Sequence, residues 1–587
     1  MGSALEPPPF AVAIIGMAGR FPDAEDVDTL WRNLLVGRTA VRRHDPMAAE
    51  SHAAAATTMA EPVAASVLAD AQCFDADFFG VDPAEALITD PQHRLFLECV
   101  WSALESAGYD PGACGAATGL FAGSCFPTYL LGLLAQRPDL VAAHGLMPIT
   151  VANDCDSLTS WVSYKLNLRG PALTVRTFSS SSLVAVHQAA QSLLTGECDM
   201  AVAGAAAVKF PQVIAYPGVT SPTGVCRALD AGADGSVVGN AVAAVVLKRA
   251  ADAIRDGDHV HALILGSATN TDGARRASYT APGVAGKTAV VAEALANADV
   301  AASSLGYIEA HAMGTKLGDE VEMAALARVF GTDKATQPCV VGAIAANLGH
   351  LDAASGIAGL IKTALVLEHG RLVPQPNFRA PNAALRACAQ LEASATGGAW
   401  QRPGPRRAGV SSFGLGGVNA HVVLQEPPAL PVRTASDEPH LVVLSARTPA
   451  GLAKTTGRLR EWLDRRPGIS VPDLAFTLRT GRPQWRHRRA IVASTRDELL
   501  SALTDVAAAS NGVVDGPRAQ LAARGAEWVA GEHVTLDDLA GHSPARRIPL
   551  PTYPFERTSF GLCASGGAPG ESNHPSATAP IDRKRYV

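Results

Sequence analysis

Cations are in slight deficit in this chain. It has 49 Lys and Arg against 55 Asp and Glu, a net charge of −6, so no global basic character points to nucleic acid. Cysteine pairs are missing too. Ten cysteines occur in 587 residues, none as CxxC and none in a zinc-type cluster. That argues against a disulfide framework and predicts reduced thiols in a cytoplasmic protein. Long apolar runs are lacking as well. The start, MGSALEPPPFAVAIIGMAG, has no basic region ahead of its short apolar stretch, so neither a signal peptide nor a membrane span is read. What is present is a 48% hydrophobic content, over a length that suits several domains, one of them large.

The most informative stretch is 173–196, LTVRTFSSSSLVAVHQAAQSLLTG. Leu173, Thr174 and Val175 predict a short strand. After a polar turn, Leu183, Val186, Ala190 and Leu194 fall at helical spacing, and Gly196 is a stop. A strand turning into a helix leaves Ser179 at the helix N-terminus, where unpaired N–H groups and the dipole favour developing negative charge. Two readings stand: a nucleophile at Ser179, or four serines that cap a helix.

The rest of the chain alternates strand and helix. Apolar runs predict strands at 11–15, 119–123, 200–204, 241–247, 262–265, 307–310 and 340–344. Helices are predicted at 28–36, 91–105 (with Asp90-Pro91 at its start), 157–166, 284–297, from about 318, and 353–368. Residues 46–66 are Ala-rich and predict a surface loop or loose helix. Residues 74–79 are aromatic-rich and predict an anchor onto the core. Residues 410–424 predict two strands around a Gly-rich turn. The alternation implies a largely parallel, helix-covered sheet in each half. Histidines 311 and 350 both lie in loops after strands, where open α/β sheets place their chemistry. Pro427 and Pro428 mark a boundary. A small α/β unit follows from 440 to about 510. Residues 513–562 show less pattern and carry an extended PLPTYPF strip. The tail, 563–587, predicts disorder.

Together these motifs resemble the ketosynthase domains of modular polyketide synthases, of the thiolase superfamily. TFSSSSLVA (177–185) is similar to the family's TACSSSLVA. EAHAMGTKLGD (309–319) is similar to EAHGTGTxLGD, and AANLGHLDAASG (345–356) to KxNxGHxxxAxG. Asp90-Pro91-Gln92 and Asn419-Ala420-His421 also match. The resemblance implies a thiolase fold, two similar halves in αβαβα layers, over 1–427. It further implies a linker domain at 428–512 and a segment like that following an acyltransferase at 513–562, with the acyltransferase itself missing. It implies Ser179, His311 and His350 as catalytic residues, with backbone N–H groups of Ser179 and Phe178 as an oxyanion hole. Phe178, Phe413, Asn347 and Thr315 are implied on the substrate side, Phe413 as a gate. No bound cofactor or metal is implied. The phosphopantetheine arm of an acyl or peptidyl carrier protein is the substrate tether, and the protein is expected to form a homodimer through the strand before residue 179.

The chain departs from the family around that site. Position 179 is Ser where the family has Cys, read as a native change or a replacement. A thiolate is accessible at neutral pH, whereas a serine needs a base within hydrogen-bond reach. Arg176 stands for Asp, Phe178 for Ala, and Ala312-Met313 for Gly-Thr. Ala345 replaces a lysine and Asn240 a glutamate, so an ion pair is lost from both ends, which costs far less than breaking one end. These departures, the standalone length and the missing acyltransferase resemble the freestanding ketosynthase-like bicyclases of salinosporamide-type pathways, and the lack of a long charged helix in residues 1–9 fits that expectation. They imply aldol-type cyclisation with lactone-forming release. Three alternatives stand beside it: Claisen elongation with malonyl units supplied in trans, a malonyl-decarboxylating loading domain, and a non-catalytic carrier-protein scaffold.

Overall fold

The computed structural model describes residues 7–44, 62–114, 117–331, 337–429, 438–504, 516–532, 534 and 545–562. Its spine is an eleven-stranded sheet. From one edge to the other the strands run Leu391–Glu392, Cys339–Gly342, Tyr307–Glu309, Arg407–Phe413, Val418–Gln425, Ala262–Thr271, Val12–Arg20, Ala241–Arg249, Met200–Ala207, Thr118–Ser124 and Ala172–Thr174. The two ends are parallel, as the alternation of strand and helix predicts. The centre is antiparallel, where Val12–Arg20 pairs with both Ala241–Arg249 and Ala262–Thr271. Central strands buried on both faces read as continuous apolar runs, and such runs carry no mark of direction.

The helices Ser181–Thr195 and Ser355–His369 pack on each other between the two halves. Both are buried along most of their length, and both end at glycines in the left-handed region, Gly196 (φ +80°) and Gly370 (φ +58°). Outer layers come from Pro91–Ser106, N-capped by Asp90 with Pro91 at its first position, and from Val284–Asn297. The helix Ser157–Leu166 forms where its periodicity places it. Among the described residues no helix is long and apolar enough to cross a membrane.

Two sequence expectations need correction. Of the Ala-rich stretch 46–66, residues 46–61 lie outside the described residues, but Val63–Ser66 is a buried strand, not a loop or helix. It pairs with Arg42–His44 and Val238–Gly239, contacts that its own composition does not announce. Within 513–562, Pro517–Val529 is a helix whose Trp528 is buried. Its apolar face is too thin to show as a period. The expected disordered tail, 563–587, lies outside the described residues.

Strands His440–Ala446 and His487–Ala493 pair antiparallel, with helices Pro449–Asp464 and Val471–Thr480 against them. Residues 545–562 then cross back over the first half. The Tyr553 N–H donates to Glu105 Oε2 at 2.7 Å, Arg557 Nε pairs with Glu98 Oε2 at 2.7 Å, and Arg547 Nη1 with Asp258 Oδ1 at 3.2 Å. Phe78, from the aromatic-rich stretch, packs against Trp101, Trp485, Tyr553 and Phe555 at 4.6–5.6 Å between ring centroids, so it does anchor that region.

Candidate active site

The turn at the head of Ser181–Thr195 is tied by its own serines. Ser180 Oγ donates to the Thr177 carbonyl (2.8 Å) and Ser181 Oγ to the Phe178 carbonyl (2.6 Å), while Ser182 Oγ accepts the Ile357 N–H (3.0 Å). None of them caps the helix by its side chain. The capping reading therefore gives way to a locked turn with one hydroxyl left over, that of Ser179. Phe178 sits in the left-handed region (φ +55°), a conformation that costs a non-glycine residue about 1–3 kcal/mol and persists only where surroundings enforce it. Ser412 Oγ donates to the Ser179 carbonyl at 2.7 Å, and Gly414 lies so close that an added Cβ would run into the Thr177 carbonyl.

The hydroxyl left over meets a base. Ser179 Oγ lies 3.0 Å from His350 Nε2. The other nitrogen, Nδ1, is 3.3 Å from Ser355 Oγ. With the ring proton on Nδ1 and directed at Ser355, Nε2 accepts from Ser179. The His311 ring stands 5.4 Å from that of His350, edge to face, and 6.0 Å from Phe413. Three loops distant in sequence thus converge on one point.

Each histidine loop is held by buried groups. Glu322 accepts the N–H of His311 and of Ala312, both at 2.9 Å. Two residues before His311, Glu309 pairs with Lys362 at 2.8 Å; their side chains are 2% and 1% exposed. The His350 N–H donates to the Val237 carbonyl at 2.7 Å, and Ser66 Oγ donates to the Leu348 carbonyl. The strand Val63–Ser66 therefore helps fix the loop of His350.

Of the residues implied on the substrate side, Phe413 is buried beside His311, and Lys287 Nζ lies 4.3 Å from its ring centroid. Phe178 is half exposed at the turn. Asn347 is committed elsewhere: its Nδ2 donates to the Arg38 carbonyl at 2.9 Å, which makes it an anchor for the N-terminal segment. Thr315 occupies the N-cap position of Lys316–Phe330 and makes no side-chain cap bond. Sequence reasoning missed Lys209, Asp352 and Lys287. The signal was two lysines in otherwise apolar contexts, one two residues after the strand Met200–Ala207 and one in the Ala/Val-rich helix Val284–Asn297.

Burial sets the protonation. It pushes His350 down to about 4, with Asp352 opposing and Lys209 adding to the shift. His311 is held well below the ordinary histidine value by burial, by His350 and by Lys287. Both rings are neutral at pH 7, so in the tautomer with the proton on Nδ1 the Nε2 lone pair of His350 faces Ser179. The same burial predicts a stability profile. The unfolded histidines titrate near 6.5, whereas His93 and His350 in the fold titrate near 4, so across this window the unfolded chain binds more protons. The share of stability that these two rings carry is therefore complete above about 6.5 and lost as pH falls towards about 4, while the buried carboxyls of Asp90 and Asp319, raised to about 6 and about 7, act in the opposite sense. The histidine share is read as the difference in urea midpoint between the protein and a His93→Gln variant, expected to move in the variant's favour as pH falls across that range. A difference independent of pH there excludes the assignment.

Sequence spacing showed no metal cluster, yet the fold brings His259, His261 and Glu368 together. His259 Nε2 and His261 Nδ1 each meet one oxygen of Glu368, at 2.9 and 2.8 Å, so each carboxylate oxygen holds one ring nitrogen.

Comparison with known proteins accords with this geometry. Residues 10–253 match the N-terminal domain of β-ketoacyl synthases, 261–379 their C-terminal domain, and 440–503 the CurL-like C-terminal region of polyketide synthases. The chain is 41% identical over 532 residues to a phenolphthiocerol/phthiocerol polyketide synthase from Mycobacterium tuberculosis, covering 87% of this chain. It spans 36% of that relative's length. Among solved structures, a Cys-to-Ser variant of the module 6 ketosynthase of the Bacillus subtilis 168 bacillaene synthase superposes with a TM-score of 0.81 at 32% identity, over 94% of this chain and 99% of that one. An oxazolomycin ketosynthase domain from Streptomyces albus JA3453 gives 0.82 at 32% identity, over 94% and 98%. With the serine–histidine–histidine site in place on a matching fold, the chain belongs to the β-ketoacyl synthases, as a ketosynthase of the polyketide synthase type.

Proposed function

We propose that the protein takes an acyl or peptidyl chain from the phosphopantetheine arm of a carrier protein onto Ser179 and closes a ring within it. The observation that carries this is the 3.0 Å contact between Ser179 Oγ and His350 Nε2. In the first step Nε2 accepts the hydroxyl proton as Oγ attacks the thioester carbonyl. The carbon–sulfur bond breaks, and the proton passes from His350 to the departing thiolate. His350, neutral again, takes an α-proton from the ester-bound chain, and the enolate so formed attacks a carbonyl of the same chain. His311 donates a hydrogen bond to the new oxyanion. The resulting alkoxide attacks the ester carbonyl, the bond to Ser179 Oγ breaks, and Oγ takes back the proton held by His350, releasing a lactone.

Departures from the family pattern favour cyclisation. A malonyl extender needs no place in this sequence of steps, and Ala345, Asn240 and Ala312-Met313 remodel the surroundings of both histidines. A second reading, decarboxylative Claisen elongation with malonyl units supplied in trans, is supported by retention of both histidines and by the relatives. A homodimer is supported by the strand Ala172–Thr174, which closes one edge of the sheet with Leu173 exposed, an edge suited to pairing with a second copy.

The test is to offer carrier proteins loaded with candidate chains and follow both partners by intact mass spectrometry. Cyclisation predicts a chain-length ester on Ser179 and release of a ring with no added carbon. Gain of a two-carbon unit establishes elongation instead, and loss of carbon dioxide from malonyl alone establishes decarboxylation. No ester on Ser179 from any donor refutes acyl transfer.

A further inference from the structure

An ion pair stands beside the loop of the second histidine, Lys209 with Asp352. Asn240 is fully buried, and its Oδ1 accepts the backbone N–H of Lys209 at 2.9 Å. Its Nδ2 donates to the Ser66 carbonyl at 3.2 Å. Asn240 thus fixes the backbone of a lysine. From there the Lys209 side chain, 5% exposed, runs inward until Nζ lies 3.2 Å from Asp352 Oδ2. Asp352 is two residues past His350, in the left-handed region (φ +51°), and its side chain is 31% exposed. The cation is therefore shut in, while the anion is partly open on the side of the histidine loop.

Stability does not explain such a pair. One 3.2 Å contact to a single carboxylate is modest recompense for desolvating an ammonium. What the pair does have is a neighbour that changes charge during acyl transfer. His350 is faced by Ser179 and Ser355 through hydrogen bonds and by the His311 ring. The charges acting on it are Asp352, which favours the imidazolium, and Lys209, which opposes it. Around Lys209 lie Asp352, Cys125 and Tyr216. Lys209 also holds the Asp352 carboxyl below the usual carboxylate range, which keeps it ionised.

We propose that Lys209 and Asp352 are positioning residues for His350, Asp352 offsetting the positive charge that the ring acquires when it takes the Ser179 proton and Lys209 keeping that carboxylate from taking the proton itself. The inference rests on acyl transfer to Ser179. The proton path is closed: Ser179 Oγ to His350 Nε2, then to the thiolate leaving the pantetheine arm, with Asp352 anionic throughout.

The two charges act on His350 in opposite directions, and that gives a test. The variants are Asp352→Asn, Lys209→Met and the double variant, which removes both charges and strands neither. Titration of His350 by NMR on histidine-labelled protein reads the ring directly, without any acyl transfer. Asp352→Asn is expected to lower its midpoint and Lys209→Met to raise it, each by about one pH unit, with the double variant between them. Acylation rates on intact protein then follow. Asp352→Asn is expected to slow ester formation about tenfold with unchanged KM. Midpoints that coincide in all four proteins, or that move in the same direction in both single variants, overturn the proposal. Opposite shifts in a protein that forms no ester from any donor uphold the electrostatic pairing and locate the failure in the acyl-transfer reading.

Discussion

Replacing Ser179 by cysteine is expected to raise the rate of acylation by a thioester donor about 10²-fold or more. A thiol titrates near 8.5 in water, and at a helix N-terminus its pKa falls, so a thiolate is available without a base. Serine depends on His350, and burial has taken that ring down to about 4, neutral but weakly basic. The two nucleophiles should therefore respond differently to loss of the histidine. His350→Ala should cut the serine form by about 10²–10⁴, the range that general base assistance supplies, and the cysteine form by less. Intact mass spectrometry of the ester or thioester on residue 179, sampled over time, measures both. Equal rates for serine and cysteine would mean that deprotonation is not what limits acylation.

Lys362→Met is expected to cost about 3–5 kcal/mol of stability, the scale for breaking one end of a buried ion pair. It would leave Glu309 buried with only the Tyr307 hydroxyl and the Ile344 N–H, each at 2.5 Å, to satisfy a full charge. A double variant, Lys362→Met with Glu309→Gln, removes both charges and should recover most of the loss. Urea unfolding followed by circular dichroism gives the differences. A loss below about 1 kcal/mol for the single variant, typical of exposed pairs, would show that water reaches Glu309. Because Glu309 lies two residues before His311, activity should fall along with stability, and recover less completely.

Most of the scaffold was legible because its signals are local. Apolar runs of four or five residues marked strands, and the ends of Ser157–Leu166 and Val284–Asn297 followed from periodicity. The motif around 177–185, with the two histidine loops, pointed to three side chains that the fold brings to one place. Signals that depend on partners were not legible. Val63–Ser66 has the composition of a loose helix and is a strand only because Arg42–His44 and Val238–Gly239 flank it. Strand direction in the centre of the sheet was hidden, since residues buried on both faces look alike whichever way they run. Lys209 and Asp352 lie 143 positions apart, and nothing in either neighbourhood says that they meet. Asn347 matched a motif, but its side chain turns to Arg38.

The return of residues 545–562 over the first half sets an order of events during synthesis. Glu105, fully buried on the helix Pro91–Ser106, receives its N–H from Tyr553, 448 residues later. Translation at about 5–20 residues per second separates the two by about 20–90 s. For that interval the nascent first half carries an acidic helix that still lacks partners it will later bury against. The ketosynthase fold is thus completed by residues 545–562, and a ribosome that stalls between residues 440 and 545 leaves that half unfinished although Ser179, His311 and His350 have already been made.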